Sequence, residues 1–188
     1  MQNLVPADLT TAYRLFNIGG TVLVSASSNG KEDVMPAAWA CALNMDPCRV
    51  TVVVDACHYT RKLIDESRVF ALALPMFSIA KETLALGSVS MNDKPDKLAK
   101  SGAEFFKIDG YDMPLVKGCA AYVMFKALPE AHVEKAYDLF IGEALAAWAD
   151  PRVYDGRHWL FENAPNDMST LHYVAGGRFY GIGQMLEL

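Results

Sequence analysis

Residues 49–67, Arg49-Val-Thr-Val-Val-Val-Asp55-Ala-Cys-His-Tyr59-Thr60-Arg61-Lys62-Leu-Ile-Asp-Glu-Ser67, contain a change of period that sets the architecture. Residues 49–55 are rich in β-branched side chains, which suit a pleated strand. From Arg61 onward, Leu63, Ile64 and Ser67 fall on one helical face. Between them lies a loop running from strand to helix. Such an entry presents backbone N–H groups without helical partners, and the helix dipole adds partial positive charge there. The Thr60 hydroxyl and the cations Arg61 and Lys62 complete a donor set suited to a phosphate. The same residues are also compatible with an N-cap and a solvated basic first turn. Cations at this end of a helix, however, oppose the dipole unless an anion lies beside them.

Upstream, Thr21 to Ser27 is a predicted strand, and Ser28-Asn-Gly-Lys31 carries the Asn-Gly signal of a tight hairpin. The partner strand is predicted over residues 33–43. Pro36 places part of it at an edge or bulge, because proline cannot donate to a ladder. Asp46-Pro47 turns the chain into residues 49–55, so three consecutive strands are expected to form an antiparallel meander. The middle strand also has chemical potential. Its small residues let a flat ligand approach the backbone and Trp39 offers a ring face, a pattern that an ordinary core strand under a tryptophan shares.

Downstream, strands are expected over Val69–Leu74, Val116–Lys126 and Thr170–Ala175, and helices over Ser78–Leu86 and Asp93–Ser101. Another helix is expected over Leu9–Asn17. Residues 129–149 are rich in helix formers and are mostly helical by propensity. Their alternation around Leu139, Ile141, Glu143 and Leu145 also suits a strand covered on both faces. No repeat, low-complexity tract or linker interrupts the chain, and one domain is expected over residues 1–188.

The 188 residues carry 17 Lys and Arg against 22 Asp and Glu, a net charge of −5. Without a basic block, a nucleic-acid groove or a polybasic membrane anchor has no support. The apolar fraction is 52 % and mean hydropathy is +0.12. The longest uncharged run, Leu15–Gly30, is broken by Asn17, Ser25, Ser27, Ser28 and Asn29, so it falls short of the about 20 apolar residues of a membrane span. The apolar surplus must lie in a core, a subunit interface or a ligand pocket. The first residues have neither a basic nor an apolar signal region, and a cytoplasmic location is expected. Cys41, Cys48, Cys57 and Cys119 form no Cys-x-x-Cys pair and the histidines are scattered, so the cysteines are expected to be reduced and buried, with no metal site. Gly181-Ile-Gly183 lacks the third glycine of a dinucleotide fingerprint, and no nucleophile elbow occurs. A nicotinamide cofactor would therefore act as a transient substrate.

In order and spacing, Thr21-Val-Leu-Val-Ser-Ala, Asp33-Val-Met-Pro-Ala-Ala-Trp39, Asn44-Met-Asp-Pro-Cys-Arg-Val-Thr-Val-Val-Val, Tyr59-Thr-Arg-Lys-Leu-Ile-Asp-Glu-Ser and Phe70-Ala-Leu-Ala-Leu-Pro together resemble the flavin reductase-like FMN-binding split-barrel family, which includes flavoredoxins and NADH:FMN oxidoreductase-like proteins. Weaker echoes follow in Asp96-Lys97-Leu98, Pro114-Leu-Val-Lys-Gly118-Cys-Ala and Leu171-His-Tyr-Val-Ala-Gly-Gly-Arg-Phe-Tyr180. The resemblance implies a mainly β fold, a six-stranded antiparallel Greek-key split barrel with flanking helices. It also implies a homodimer with one FMN per subunit near the interface, and a strand over residues 138–148 against the local helix propensity.

Carried over residue by residue, Ala38, Trp39, Ala40 and Cys41 lie along the isoalloxazine, and Asn44 and Asp55 flank the ribityl and phosphate groups. Tyr59, Thr60, Arg61 and Lys62 hold the phosphate, with Lys97 as a further contributor. The family often places a histidine just before the strand resembling Phe140-Ile-Gly-Glu143, where this chain has Ala136, Tyr137, Asp138 and Leu139. The implied activity needs no acid–base pair, because hydride passes from NADH or NADPH to the flavin and onward to a small-molecule or protein electron acceptor. The family's other implied role is a flavoredoxin-like FMN electron carrier without nicotinamide activity.

Overall fold

A computed structural model of the chain describes residues 20–186, and the helix expected over residues 9–17 lies outside them. Val22–Ser28 (β1) and Lys31–Ala37 (β2) pair antiparallel from Ser28 opposite Lys31 to Val22 opposite Ala37. Asn29 and Gly30 turn the hairpin with φ of 51° and 72°, the left-handed conformation that this dipeptide favours.

The continuous strand expected over residues 33–43 breaks at Ala38 and Trp39. Its second half, Ala40–Asn44 (β3), pairs with Arg49–Val53 (β4) and not with β2. After the helix Tyr59–Ser67 (α1) comes Val69–Pro75 (β5), which lies beside β1. A 3-10 turn at Phe77–Ile79 leads into Ala80–Ser88 (α2), followed by the short Lys97–Lys100 (α3). Phe105–Ile108 (β6) and Tyr111–Val116 (β7) form a hairpin, and Gly118, at φ 88°, turns the chain into Cys119–Ala127 (β8). The strand expected over Val116–Lys126 is thus the end of β7, a turn and β8. Ala131–Tyr137 (α4), Leu139–Ala149 (β9), Leu171–Ala175 (β10) and Arg178–Gly181 (β11) complete the order.

Seven strands form one antiparallel sheet in the order β2-β1-β5-β8-β9-β4-β3. The halves of the broken strand therefore stand at opposite edges, and the expected meander is replaced by two separate hairpins. Pro36 is compatible with this edge position, since it has no N–H to offer a strand on the open side and stays paired with Leu23 of β1 on the other. Counting the broken strand once gives the six lanes of a mainly β split barrel.

Residues 129–149 contain both elements that the sequence left in competition. α4 ends at Asp138 in the left-handed conformation, φ 53°, and the strand begins at the next residue. Tertiary pairing on both sides, with β8 and β4, overrides the helix propensity of the alanine-rich stretch.

Inside the sheet, Val22, Val24, Val52, Phe70, Phe125 and Phe140 pack with Leu63 and Ile64 of α1. On the outer face, Leu23, Val34 and Ala73 meet Leu86 of α2, while Met113 and Leu115 of β7 cover Ala71 and Met124. β1 and β5 are consequently buried on both faces, which accommodates much of the apolar surplus. The cysteines depart from expectation. Cys119 is buried, and burial pushes its thiol up to about 12, whereas Cys41, Cys48 and Cys57 are exposed on β3, the turn after it and the entry to α1.

A Cβ on Gly142 of β9 would lie 2.5 Å from Phe70 Cζ and 2.9 Å from Phe125 Cβ, and those rings already stack at 5.4 Å. Gly142→Ala should lower urea-unfolding stability by about 1–3 kcal/mol through overpacking. Arg68, at the end of α1, donates to both oxygens of Glu134 in α4, at 2.6 and 3.1 Å, and to Leu128 O. The guanidinium holds the Glu134 carboxyl below its ordinary 4.5. A lowered folded value stabilises the protein above 4.5 and loses that stabilisation as pH falls through the folded value. Glu134→Gln should therefore flatten the loss of melting temperature between pH 5 and 3 relative to the parent.

Candidate functional site

The break between β2 and β3 opens onto a cleft of about 880 Å³. One wall is Met35, Pro36, Ala37, Ala38 and Trp39. The facing wall is Thr83, Leu86, Gly87 and Ser88 of α2, continued by Val89 and Ser90. These walls approach closely because position 87 has no side chain, for a Cβ there would meet Pro36 Cγ at 2.6 Å. Asp55, His58, Tyr59 and Thr60 come from the entry to α1, while Tyr137, Asp138, Tyr173 and Phe179 line the remaining side.

α1 points its N-terminus at this cleft. Its N-cap, His58, makes no side-chain cap bond and the first turn has no acidic residue. The N–H groups of that turn have no acceptor within the helix, so they and the dipole present positive potential to the cleft. Asp55 does not cap the helix either. Its carboxylate accepts the Cys57 N–H at 2.8 Å, and that bond, ahead of the Cys57 thiol, holds the Asp55 carboxyl below its usual range. The same carboxylate pushes the Cys57 thiol up, away from reactive thiolate.

A buried polar cluster closes one end of the cleft. Thr60 Oγ1 donates to Asp33 Oδ2 at 2.6 Å, and Lys97 Nζ donates to Asp33 Oδ1 at 2.8 Å. Nearby, Lys62 Nζ donates to Asn92 Oδ1 at 3.0 Å, and Asn92 Nδ2 donates to Cys57 O at 2.9 Å. Asn92 thereby ties the segment after α2 to the start of α1.

Of the residues singled out from sequence, Ala38, Trp39, Asp55, Tyr59, Thr60 and Lys97 share the cleft. Ala40 packs toward the barrel interior, and Cys41 and Asn44 are exposed on β3 beyond the break. The Arg61 guanidinium turns away from the cleft into the fold. It donates to Asp65 at 3.0 Å, Val54 O at 3.0 Å, Asp138 Oδ1 at 2.9 Å and Glu134 O at 3.0 Å, and lies 4.6 Å from the centre of the Phe140 ring. Four of its five N–H donors are thus taken within the protein. Sequence reasoning missed Asp33, Thr83, Ser90, Tyr173 and Phe179. None of them carried a clear signal, and Asp33, which follows Lys31 and Glu32 at the start of β2, has the local sequence of a solvated charge run. Among the described residues no cluster of metal-ligating side chains occurs, and no helix is long and apolar enough to cross a membrane.

Arg61→Met should cost about 2–4 kcal/mol in urea unfolding, since it strips donors from two carboxylates and two carbonyls in a mostly buried setting. A stability change under 1 kcal/mol would sink the assignment of this side chain to the fold.

Comparison with known proteins accords with this geometry. Residues 15–177 match the Flavin reductase like domain family. A solved structure from Shewanella baltica OS155, described as an FMN-binding domain of a flavin reductases-like enzyme, is 44 % identical, with a TM-score of 0.88 over 99 % of this chain and 97 % of that one. The uncharacterized protein YddH of Escherichia coli (strain K12) is 33 % identical over 98 % of this chain and 97 % of its own length. The flavoredoxin of Desulfovibrio vulgaris (Miyazaki F), 19 % identical, shares the fold with a TM-score of 0.77 over 100 % of this chain and 97 % of that one. A split barrel whose cleft meets an uncapped helix, together with a match across most of the chain, places this protein in the flavin reductase-like domain family.

Proposed function

We propose that the chain binds FMN in the cleft beside α1 and acts in the cytoplasm as an NAD(P)H-dependent flavin reductase. The observation that carries this reading is one cleft with two complementary ends. At one end are the uncapped amides of α1 and the Lys97 ammonium, suited to a phosphate. At the strand break, Ala38 belongs to neither ladder, which leaves its backbone available to the hydrogen-bonding rim of a heterocycle. Gly87 and Ala37 keep the space between flat, and Trp39 and Tyr59 supply ring faces. The residues present fit FMN on these grounds. The relative from Shewanella baltica, described as FMN-binding, supports the same reading.

When bound, the flavin ring supplies two-electron chemistry that no side chain here can. The protein's part is to anchor the phosphate away from the ring, to orient the ring's polar edge with the backbone at residue 38, and to exclude water with the aromatic wall. NADH or NADPH is a transient hydride donor, and a small molecule or protein is the acceptor. A second copy of the chain covers the face of β3, β4 and β9, where Leu43, Met45 and Leu145 are exposed.

The purified protein should be yellow or become so with one FMN per chain, and should sediment as a dimer. Stopped-flow mixing with NADH or NADPH under nitrogen should bleach the flavin band. Bleaching by dithionite alone leaves the flavoredoxin-like carrier role, and failure to retain or bind FMN removes the reading altogether.

A further inference from the structure

Asp33 is 1 % exposed and Lys97 4 %, yet both border the cleft. Asp33, Thr60 and Lys97 come from β2, α1 and α3, and Asp33 joins them through one carboxylate. Stability alone is a weak reason for this arrangement, because well-packed apolar residues often serve as well as a buried ion pair. Its effect on the donors facing the cleft is specific. The Thr60 hydroxyl proton is committed to Asp33 Oδ2, so toward the cleft that oxygen can only accept. A phosphate dianion also only accepts, and it gains nothing from this side chain. The ammonium of Lys97 gives one of its three N–H bonds to Asp33 Oδ1 and keeps two. Among the described residues, Lys97 is the one lysine or arginine that lines the cleft. Its four-carbon stem is flexible and costs rotamer entropy to immobilise. Asp33 fixes that stem before a ligand arrives.

We infer that Asp33 is a positioning residue that acts through Lys97 to set where the phosphate of a flavin mononucleotide is held. The inference rests on the flavin reading above and adds a residue and a ligand group to it.

The test measures dissociation constants for FMN and for riboflavin, which lacks the phosphate, in the parent, Asp33→Asn, Lys97→Met and the double variant. Circular dichroism and melting curves check that each is folded. Asp33→Asn should weaken FMN binding about tenfold and riboflavin binding by less than about threefold, the scale of one charge-assisted hydrogen bond. The double variant should bind FMN as Lys97→Met does, because Asp33 has nothing left to position. Unchanged or tighter FMN binding by Asp33→Asn overturns the inference, as does equal weakening of both flavins. A double variant about tenfold weaker than Lys97→Met also overturns it. If Asp33→Asn does not fold, the double variant, which leaves no unpaired buried charge, carries the comparison with Lys97→Met. A parent that binds no FMN overturns the flavin reading and this inference together, whereas normal parental binding with an unaffected Asp33→Asn overturns the inference alone.

Discussion

A strand takes a second neighbour through its outward backbone N–H groups, and the strand that begins at Lys31 lacks one at Pro36, which pairs with Leu23 on one side and is open on the other. The rest of the architecture depends on where the chain goes just beyond it. The chain leaves β2 after Ala37, passes Ala38 outside either ladder, accepts the Val53 N–H at the Trp39 carbonyl at 3.0 Å, and resumes at Ala40 on the far edge of the same sheet. Two edges of one sheet are thereby joined by a two-residue bridge, so the sheet must curl without closing. A closed barrel would have no gap to present, and a flat sheet would have no interior for Phe70, Phe125 and Phe140 to fill. The cleft is a consequence of the crossing at residues 38 and 39, just past the last β1–β2 pair, Val22 with Ala37.

A gap in a barrel would collapse or fill with water unless something rigid bordered it. α1 does so with two different faces. Leu63 and Ile64 enter the hydrophobic interior, while the first turn stays at the cleft. The orientation is held by Arg61, whose guanidinium reaches Val54 after β4, Asp138 before β9 and Glu134 in α4. One side chain thus ties α1 to the segments flanking two neighbouring strands. Because that tie uses the side chain only, the backbone N–H of the same residue still faces the uncapped end. One residue thus anchors the fold with its side chain and leaves its amide at the cleft end of the helix.

The local parts of this structure were legible from sequence because local physics decides them. The Asn29-Gly30 turn, β4, α1 and β5 follow from residue type and period with few competing solutions. Elements shaped by distant partners were less legible. The β6–β7 hairpin has weak periodicity and is stabilised by the outer face of β5 and β8, so the strand expected from Val116 merged a turn with parts of two strands. β9 has helix propensity, and only pairing on both sides makes it a strand. The cleft divides similarly. Ala38, Tyr59 and Thr60 belong to segments whose local chemistry is visible, whereas Thr83, Ser90, Tyr173 and Phe179 arrive from distant elements, the last two more than a hundred residues along the chain.

A subtler limit concerns the direction of a hydrogen bond. Sequence places a hydroxyl at position 60, and a hydroxyl can donate or accept. At a helix entry the natural inference is a donor for an anion, yet the fold brings a buried carboxylate from β2 to within 2.6 Å of it. A carboxylate is the stronger claim on the proton, because leaving a buried charge short of donors costs more than leaving a hydroxyl without an acceptor. The hydroxyl is therefore polarised away from the cleft, and positive character there falls to backbone amides and to an ammonium held by the same carboxylate. Residue type sets what a group can do, and the partner that burial selects decides which of those things it does.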